Sequence, residues 1–184
     1  VITVAHEVFH QKGYQEATMA DIARALGVTK PTIYHYFTGK DDLLAAVAEH
    51  ERKMLEAIII EVFRGRDFLT GVGIFFDTIM TSYLGKFAPE SIAITTRDEK
   101  IREIIAQDRE QFLGIVARFL EQRQAIGEIR ADANPRTLAY AINALFQGLL
   151  VYIMQGMEIS EVRRVWVDSI RDLTQERAPA PGPN

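Results

Sequence analysis

Three features of the sequence predict an all-helical fold. Apolar residues recur at three- and four-residue steps along almost the whole chain. Alternating strand-like runs bounded by hairpin turns are absent. Glycine, proline and hydroxyl or acidic capping residues punctuate the chain at helix-length intervals. Within that class the expected architecture is an N-terminal group of three short helices, joined by a long helix to a larger helical domain.

The first helix carries Ile2, Ala5, Val8 and Phe9 inward and is expected to stop near Gly13. Thr18 caps a short second helix, "MADIARAL", which Gly27 ends. Thr29 caps a third, with Pro31 in its first turn, where a missing N–H does no harm. Thr38 and Asp41, at capping-box spacing, open a long helix through Leu43, Val47, Leu55, Ile59 and Val62 to a break at Gly65. Further helices are expected at about 67–87, 90–96, 99–126, 135–155 and 160–174, punctuated by Pro89, Thr96 with Glu99, Gly127, Asn134 before Pro135, and Gly156. The expected domains are residues 1–45, with the three short helices, and residues 46–177, with the longer ones. Residues 178–184, "GPN" and the alanines and prolines before it, form a Pro/Gly/Ala tail.

Composition narrows the function classes. The chain has 184 residues, 48% hydrophobic and 25% charged, enough to bury a core. With no cysteine there is no disulfide framework, thiolate metal site or cysteine nucleophile, which fits a cytoplasmic protein. The most apolar run, "LAYAINALFQGLLVYIMQG", carries Asn143 and Gln147 in its middle, which argues against a membrane span. The opening "VITVAHEVFHQKG" has no signal-peptide pattern and reads as a helix already under way, so residues are expected to precede Val1.

The most informative stretch is "TMADIARALGVTKPTIYHYFTGKDDL", residues 18–43: a helix, a turn at Gly27 and a second helix. On that second helix Ile33 and Phe37 share one side and can pack on Ile22, Ala23 and Leu26. Pro31, Thr32 and His35 then face outward, with Tyr34 and Tyr36 on opposite flanks and Lys30 and Lys40 near the two helix starts. Such a surface suits a major groove, with small and hydroxyl groups at the base edges and tyrosines and lysines at the phosphates. One feature runs against this. Residues 1–50 hold Lys12, Arg24, Lys30 and Lys40 against Glu7, Glu16, Asp21, Asp41, Asp42 and Glu49, a net charge of minus two, where a DNA-binding domain should be basic.

The pattern "F..KGY..ATMADIA...GVTKPTIYHYFTGKDDL" resembles the amino-terminal domain of the tetracycline-repressor (TetR) family of one-component transcriptional regulators. The resemblance implies a homodimer, a palindromic operator and release by a small, largely apolar effector, with repression the usual outcome and no cofactor. It implies base-edge contacts from Lys30, Pro31 and Thr32, and phosphate or nearby base contacts from Tyr34, His35, Tyr36 and Lys40. Thr18 would reach a phosphate through its hydroxyl and the helix N-terminus; Thr29 completes the DNA-facing set. At Ala20, where some members carry a base-reading arginine, direct readout from the second helix is not expected.

The stretch "HEVFH", residues 6–10, is also the zinc-hydrolase motif, since His6 and His10 share a helix face beside Glu7. A catalytic zinc needs a third ligand. The remaining histidines are His35, placed on the recognition helix, and His50. The expected reading is two surface histidines on a structural helix. A helical adaptor whose helix-turn-helix meets protein is a further alternative, distinguished by a complex that survives high salt.

In the larger domain Phe76, Met80, Tyr83 and Phe87 form one aromatic-rich stripe, and Phe112, Val116 and Phe119 form another. Such stripes are core more often than pocket, but the resemblance moves them toward an effector cavity. The effector candidates are Phe76, Met80, Tyr83, Arg97, Phe112, Val116, Asn143 and Gln147; the two amides suit a ligand and a second subunit equally. Dimerisation is expected through Leu138, Ile142, Leu145, Leu149, Val162, Val165, Trp166 and Ile170 on the last two helices, as half of a four-helix bundle.

Overall fold

The computed structural model describes residues 1–83 and 98–175. Among them lie eight helices: α1 (Ile2–Glu16), α2 (Met19–Leu26), α3 (Lys30–Tyr34), α4 (Lys40–Phe63), α5 (Phe68–Tyr83), α6 (Glu99–Ala125), α7 (Pro135–Met154) and α8 (Ile159–Thr174). The expected helix at 90–96, the signals at Phe87, Pro89 and Thr96, Arg97 and the tail at 178–184 lie outside the described residues.

Local differences from the expected elements have clear causes. Gly13 does not end α1 but kinks it, at φ 73°, and helical backbone resumes to Glu16. The cap of α4 uses Asp42 instead of Asp41: the Thr38 N–H and hydroxyl donate to Asp42 Oδ2 at 2.9 and 3.2 Å. Asp41 is turned the other way, toward Tyr14 and Lys100. Asp98 caps α6 by accepting from the N–H groups of Lys100 and Ile101 at 3.0 and 3.4 Å.

The chain divides into two compact units, Val1–Ala57 with Thr81–Phe112, and Ile58–Met80 with Leu113–Asn184. Helices α4 and α6 each contribute to both. In the first unit Ala5, Phe9 and Tyr14 of α1, Met19, Ile22 and Ala23 of α2, Ile33 of α3 and Leu43 and Val47 of α4 share one core. Ile101, fully buried at the start of α6, belongs to it as well. Burying each such side chain stabilises the unit by about 1.5–3 kcal/mol, so α6 helps hold the three small helices together.

The second unit is built on aromatic packing. Phe63, Phe68 and Phe119 form one cluster, with centroids 4.7–6.3 Å apart. Trp166 lies 5.4 Å from Phe146 and 6.4 Å from Phe76, and its buried indole N–H donates to the Val72 carbonyl at 3.1 Å. Arg123 donates to the carbonyls of Phe63 and Arg66 at 2.8 and 3.0 Å, capping the end of α4. Such a cap satisfies carbonyls that the helix leaves without partners.

Candidate nucleic-acid interface

Helix α2 begins with a full capping box: the Asp21 N–H donates to Thr18 Oγ1 at 3.1 Å, and the Thr18 N–H donates to Asp21 Oδ2 at 3.1 Å. Gly27 ends it at φ 69°, a left-handed conformation that a Cβ would strain. The turn therefore aims α3 across α2. Only Ile33 of α3 is buried, at 1% exposure, and the half-buried Phe37 packs against the same core.

Every other candidate on this segment faces outward. Thr29, Lys30, Pro31, Thr32 and His35 are exposed, as are Tyr34 at 50% and Tyr36 at 69%. The rings of His35 and Tyr36 meet edge-on with centroids 5.1 Å apart, making a joint aromatic flank. Thr29 does not cap α3 through its side chain; its hydroxyl instead meets that of Thr32 at 2.9 Å. Two linked hydroxyls, a lysine and three aromatic rings thus ring a helix anchored by one isoleucine.

Two residues expected at phosphates already have partners within the chain. The Thr18 hydroxyl is already engaged, donating to Asp21 Oδ2 at 2.7 Å while accepting the Asp21 N–H. Lys40 is half-buried, and its ammonium donates to the carbonyls of Tyr14, Gln15 and Ala17 at 2.7, 3.1 and 3.0 Å. An ammonium has three donors, so all of them are occupied within the protein. Local pattern holds no sign of this, because the partners lie 23 to 26 residues away.

The acidic balance of the first fifty residues has a structural answer. Lys12 and Arg24 converge on Asp21 at 2.8 and 3.0 Å, and its hydrogen bonds, first from Lys12 and then from Thr18, hold its carboxyl well below the usual range. Lys100, from outside that stretch, lies 2.6 Å from Asp41 and lowers its pKa, with the Tyr14 hydroxyl contributing next; the Lys100 pKa rises in turn. Lys53 likewise pairs with Glu49 at 2.7 Å. Each of these carboxylates is paired with a cation, which weakens its repulsion of an anionic backbone.

The histidines of HEVFH are half-buried and not simply on the surface. His6 Nε2 lies 2.8 Å from Glu51, and His10 Nδ1 is buried without a hydrogen-bond partner. Among the described residues no group of three or more His, Asp or Glu side chains could hold a metal.

In the second unit five expected dimer contacts are core. Leu138, Leu149, Val162, Trp166 and Ile170 are each 5% exposed or less within the single chain; Ile142, Leu145 and Val165 are half-buried. The reason is that α8 has one apolar face and turns it inward, leaving Glu161, Arg164, Asp168, Arg171 and Asp172 outside. The surface left bare instead lies on α7: Tyr140, Ala144, Gly148 and Tyr152 are exposed at steps of four residues, with Gln147 exposed beside them.

The effector candidates divide too. Phe76 and Met80 are buried, at 1% and 7% exposure, and Phe76 packs near Trp166 as ordinary core. Phe112 and Val116 are half-buried. Asn143 is half-buried while Gln147 faces out, its Nε2 donating weakly to Asn143 Oδ1 at 3.5 Å. The Tyr83 side chain and Arg97 lie outside the described residues. A groove of about 320 Å³ in the first unit, lined by Ala45, Ala48, Arg52, Ile104 and Asp108 among others, includes none of these candidates.

Comparison with known proteins identifies the arrangement. Residues 1–47 match the model of the bacterial regulatory proteins of the tetR family, and residues 87–167 match the tetracyclin repressor-like C-terminal domain. The HTH-type transcriptional repressor ComR of Escherichia coli K12 is 28% identical over 191 residues, covering 91% of this chain and 84% of that protein. A TetR-family transcriptional regulator from Rhodococcus sp. superimposes with a TM-score of 0.83 at 19% identity, covering 95% of this chain and 96% of the other. The transcriptional regulator FadR of Bacillus subtilis, in complex with stearoyl-CoA, gives 0.74 at 18% identity over 92% and 95% of the two chains. With a matching domain at each end, in family order, and the helix-turn-helix geometry between Thr18 and Lys40, the chain belongs to the tetR family and is a transcriptional regulator.

Proposed function

We propose that the protein is a repressor that binds a palindromic operator as a homodimer and leaves it when a small, largely apolar effector enters residues 46–177, with residues 1–45 reading the DNA. The observation that carries this reading is α3: one buried isoleucine anchors it, while Thr29, Lys30, Pro31, Thr32, Tyr34, His35 and Tyr36 all point away from the core. Threonines and proline at the helix start suit base edges and thymine methyls; the tyrosines, His35 and Lys30 suit phosphates on either wall. Repression is supported by the relative named as a repressor. An effector is supported by the fold shared with FadR, whose structure holds stearoyl-CoA.

The dimer is argued from α7. By length and composition this helix is apolar enough to cross a membrane, yet little of it is buried in the chain. Exposed apolar surface on such a scale marks an interface. Ala144 and Gly148, between Tyr140 and Tyr152, would let a second copy approach closely, and a Cβ at Gly148 meets nothing within 4 Å in the single chain. We therefore place the dimer contact on Tyr140, Ala144, Gln147, Gly148 and Tyr152, with Ile142, Leu145 and Val165 at its margin. A regulator acting on DNA in this way works in the cytoplasm.

Selection of binding sites from random duplex DNA, at a stated salt concentration, tests the proposal. Enrichment of a two-fold symmetric site is expected. Failure to enrich any sequence would overturn it, and a membrane-associated chain would reassign α7.

A further inference from the structure

The helix-turn-helix lies between two points that the structure ties together. Ala17 is the last residue before the Thr18 cap of α2, and Lys40 is the first residue of α4 after the recognition helix. The Lys40 ammonium donates to the Ala17 carbonyl at 3.0 Å, so the chain entering the motif and the chain leaving it meet at one hydrogen bond. The same ammonium reaches the carbonyls of Tyr14 and Gln15 and lies 4.4 Å from the centroid of the Tyr14 ring. A second strap runs beside it, because the buried Tyr14 hydroxyl donates to Asp41.

The electrostatics favour this placement. A lysine at the N-terminus of its own helix sits against the positive end of that helix dipole. Here the charge is carried instead onto the carbonyl end of α1, where unpaired acceptors gather partial negative charge. Lys40 thereby resolves two unfavourable helix ends with one side chain. A phosphate contact from the same ammonium would require breaking at least one of these bonds.

We propose, on the regulator reading above, that Lys40 is a positioning residue for DNA recognition: it closes the bracket around residues 18–39 and fixes the aim of α3, and it does not bind phosphate. Tyr14, which has no atom on the outer face of α3, shares this role through Asp41.

The test measures binding of the full chain to its selected site and to an unrelated duplex of equal length, across several salt concentrations. Lys40→Met is expected to lower selected-site affinity about tenfold, the scale of a disturbed base contact, while unrelated-duplex affinity and the salt slope stay unchanged. Tyr14→Phe should reproduce a smaller loss of the same kind. Lys40→Arg keeps the charge, but its planar fork cannot serve three separate carbonyls, so it too should lose selected-site affinity. The proposal is overturned if Lys40→Met weakens both duplexes together and flattens the slope by about one unit, or if Lys40→Arg binds as the wild type does. Should Lys40→Met fail to fold, Tyr14→Phe and Lys40→Arg decide the matter alone. A wild-type chain that selects no site sinks the regulator reading itself, and this proposal with it.

Discussion

Helices α3 and α7 both leave side chains bare, and they do so with opposite chemistry. Helix α3 exposes hydroxyls, a lysine, a histidine and two tyrosines around a single buried isoleucine. Helix α7 exposes tyrosines separated by alanine and glycine on an otherwise apolar rod. A surface able to donate hydrogen bonds and stack suits the charged, polar edge of a nucleic acid. A surface of small and aromatic groups suits a copy of itself, because a two-fold axis brings each patch onto its own image. The comparison teaches that exposure alone says little, whereas the kind of group exposed points to the partner.

The largest effect expected from breaking this comparison is on the α7 side. Gly148→Arg has room in the single chain, so the fold should survive while the dimer separates. Loss of the paired contact should weaken operator binding by about a hundredfold or more, read by sedimentation together with DNA titration. Next comes the anchor of α3. Ile33→Ala opens a cavity in the first core and should cost about 2–5 kcal/mol, seen as a lower unfolding midpoint in denaturant.

A smaller change sharpens the α3 side. Thr32→Ala removes a hydroxyl from the outer face and also frees that of Thr29. Base preference at one position of each half-site should change, worth about 1–3 kcal/mol against the preferred base, with folding stability unaltered. An identical selected site would remove Thr32 from the base contacts.

The smallest effect concerns acid. Asp21 and Asp41 have folded pKa values below their ordinary 3.8, held down first by Lys12 and by Lys100 respectively. Depressed carboxylates contribute stability that is fully present above the unfolded value and is lost as pH falls through the folded one. Between pH 7 and about 5 these two groups should leave stability flat, and below about pH 4 it should fall. Asp41→Asn should reduce that acid dependence in thermal unfolding; an unchanged pH profile would deny Asp41 its part.

The same contrast explains what could be read from the sequence. Several helix starts and stops were legible because capping is local: Thr18, Pro31 and Gly27 act within a few residues. The outer face of α3 was legible because Ile33 within it and Phe37 just beyond it, four residues apart, leave the segment one way to pack. Lys40 was not, since its acceptors lie at residues 14, 15 and 17, and nothing local distinguishes a lysine bound for phosphate from one bound for a helix end. Asp41 was misread as the cap of α4 for the same reason, its partners being Tyr14 and Lys100. The burial of the expected dimer residues was hidden for a different reason. Helix α7 is apolar on more than one side, and periodicity cannot say which side meets α8 and which is left over. Leu138 and Leu149 turned out to be core, while Tyr140 and Tyr152 remained outside.

The most direct measurement is a hydroxyl-radical footprint of the full chain on its selected duplex, run beside Thr32→Ala and Gly148→Arg. A dimer reading DNA through α3 should protect two patches on one face, about one helical turn apart, roughly 34–36 Å, or a multiple of it. Thr32→Ala should disturb the same position in each patch, and Gly148→Arg should abolish the pairing. A single patch, or protection indifferent to Thr32, would contradict the placement of α3 in the groove.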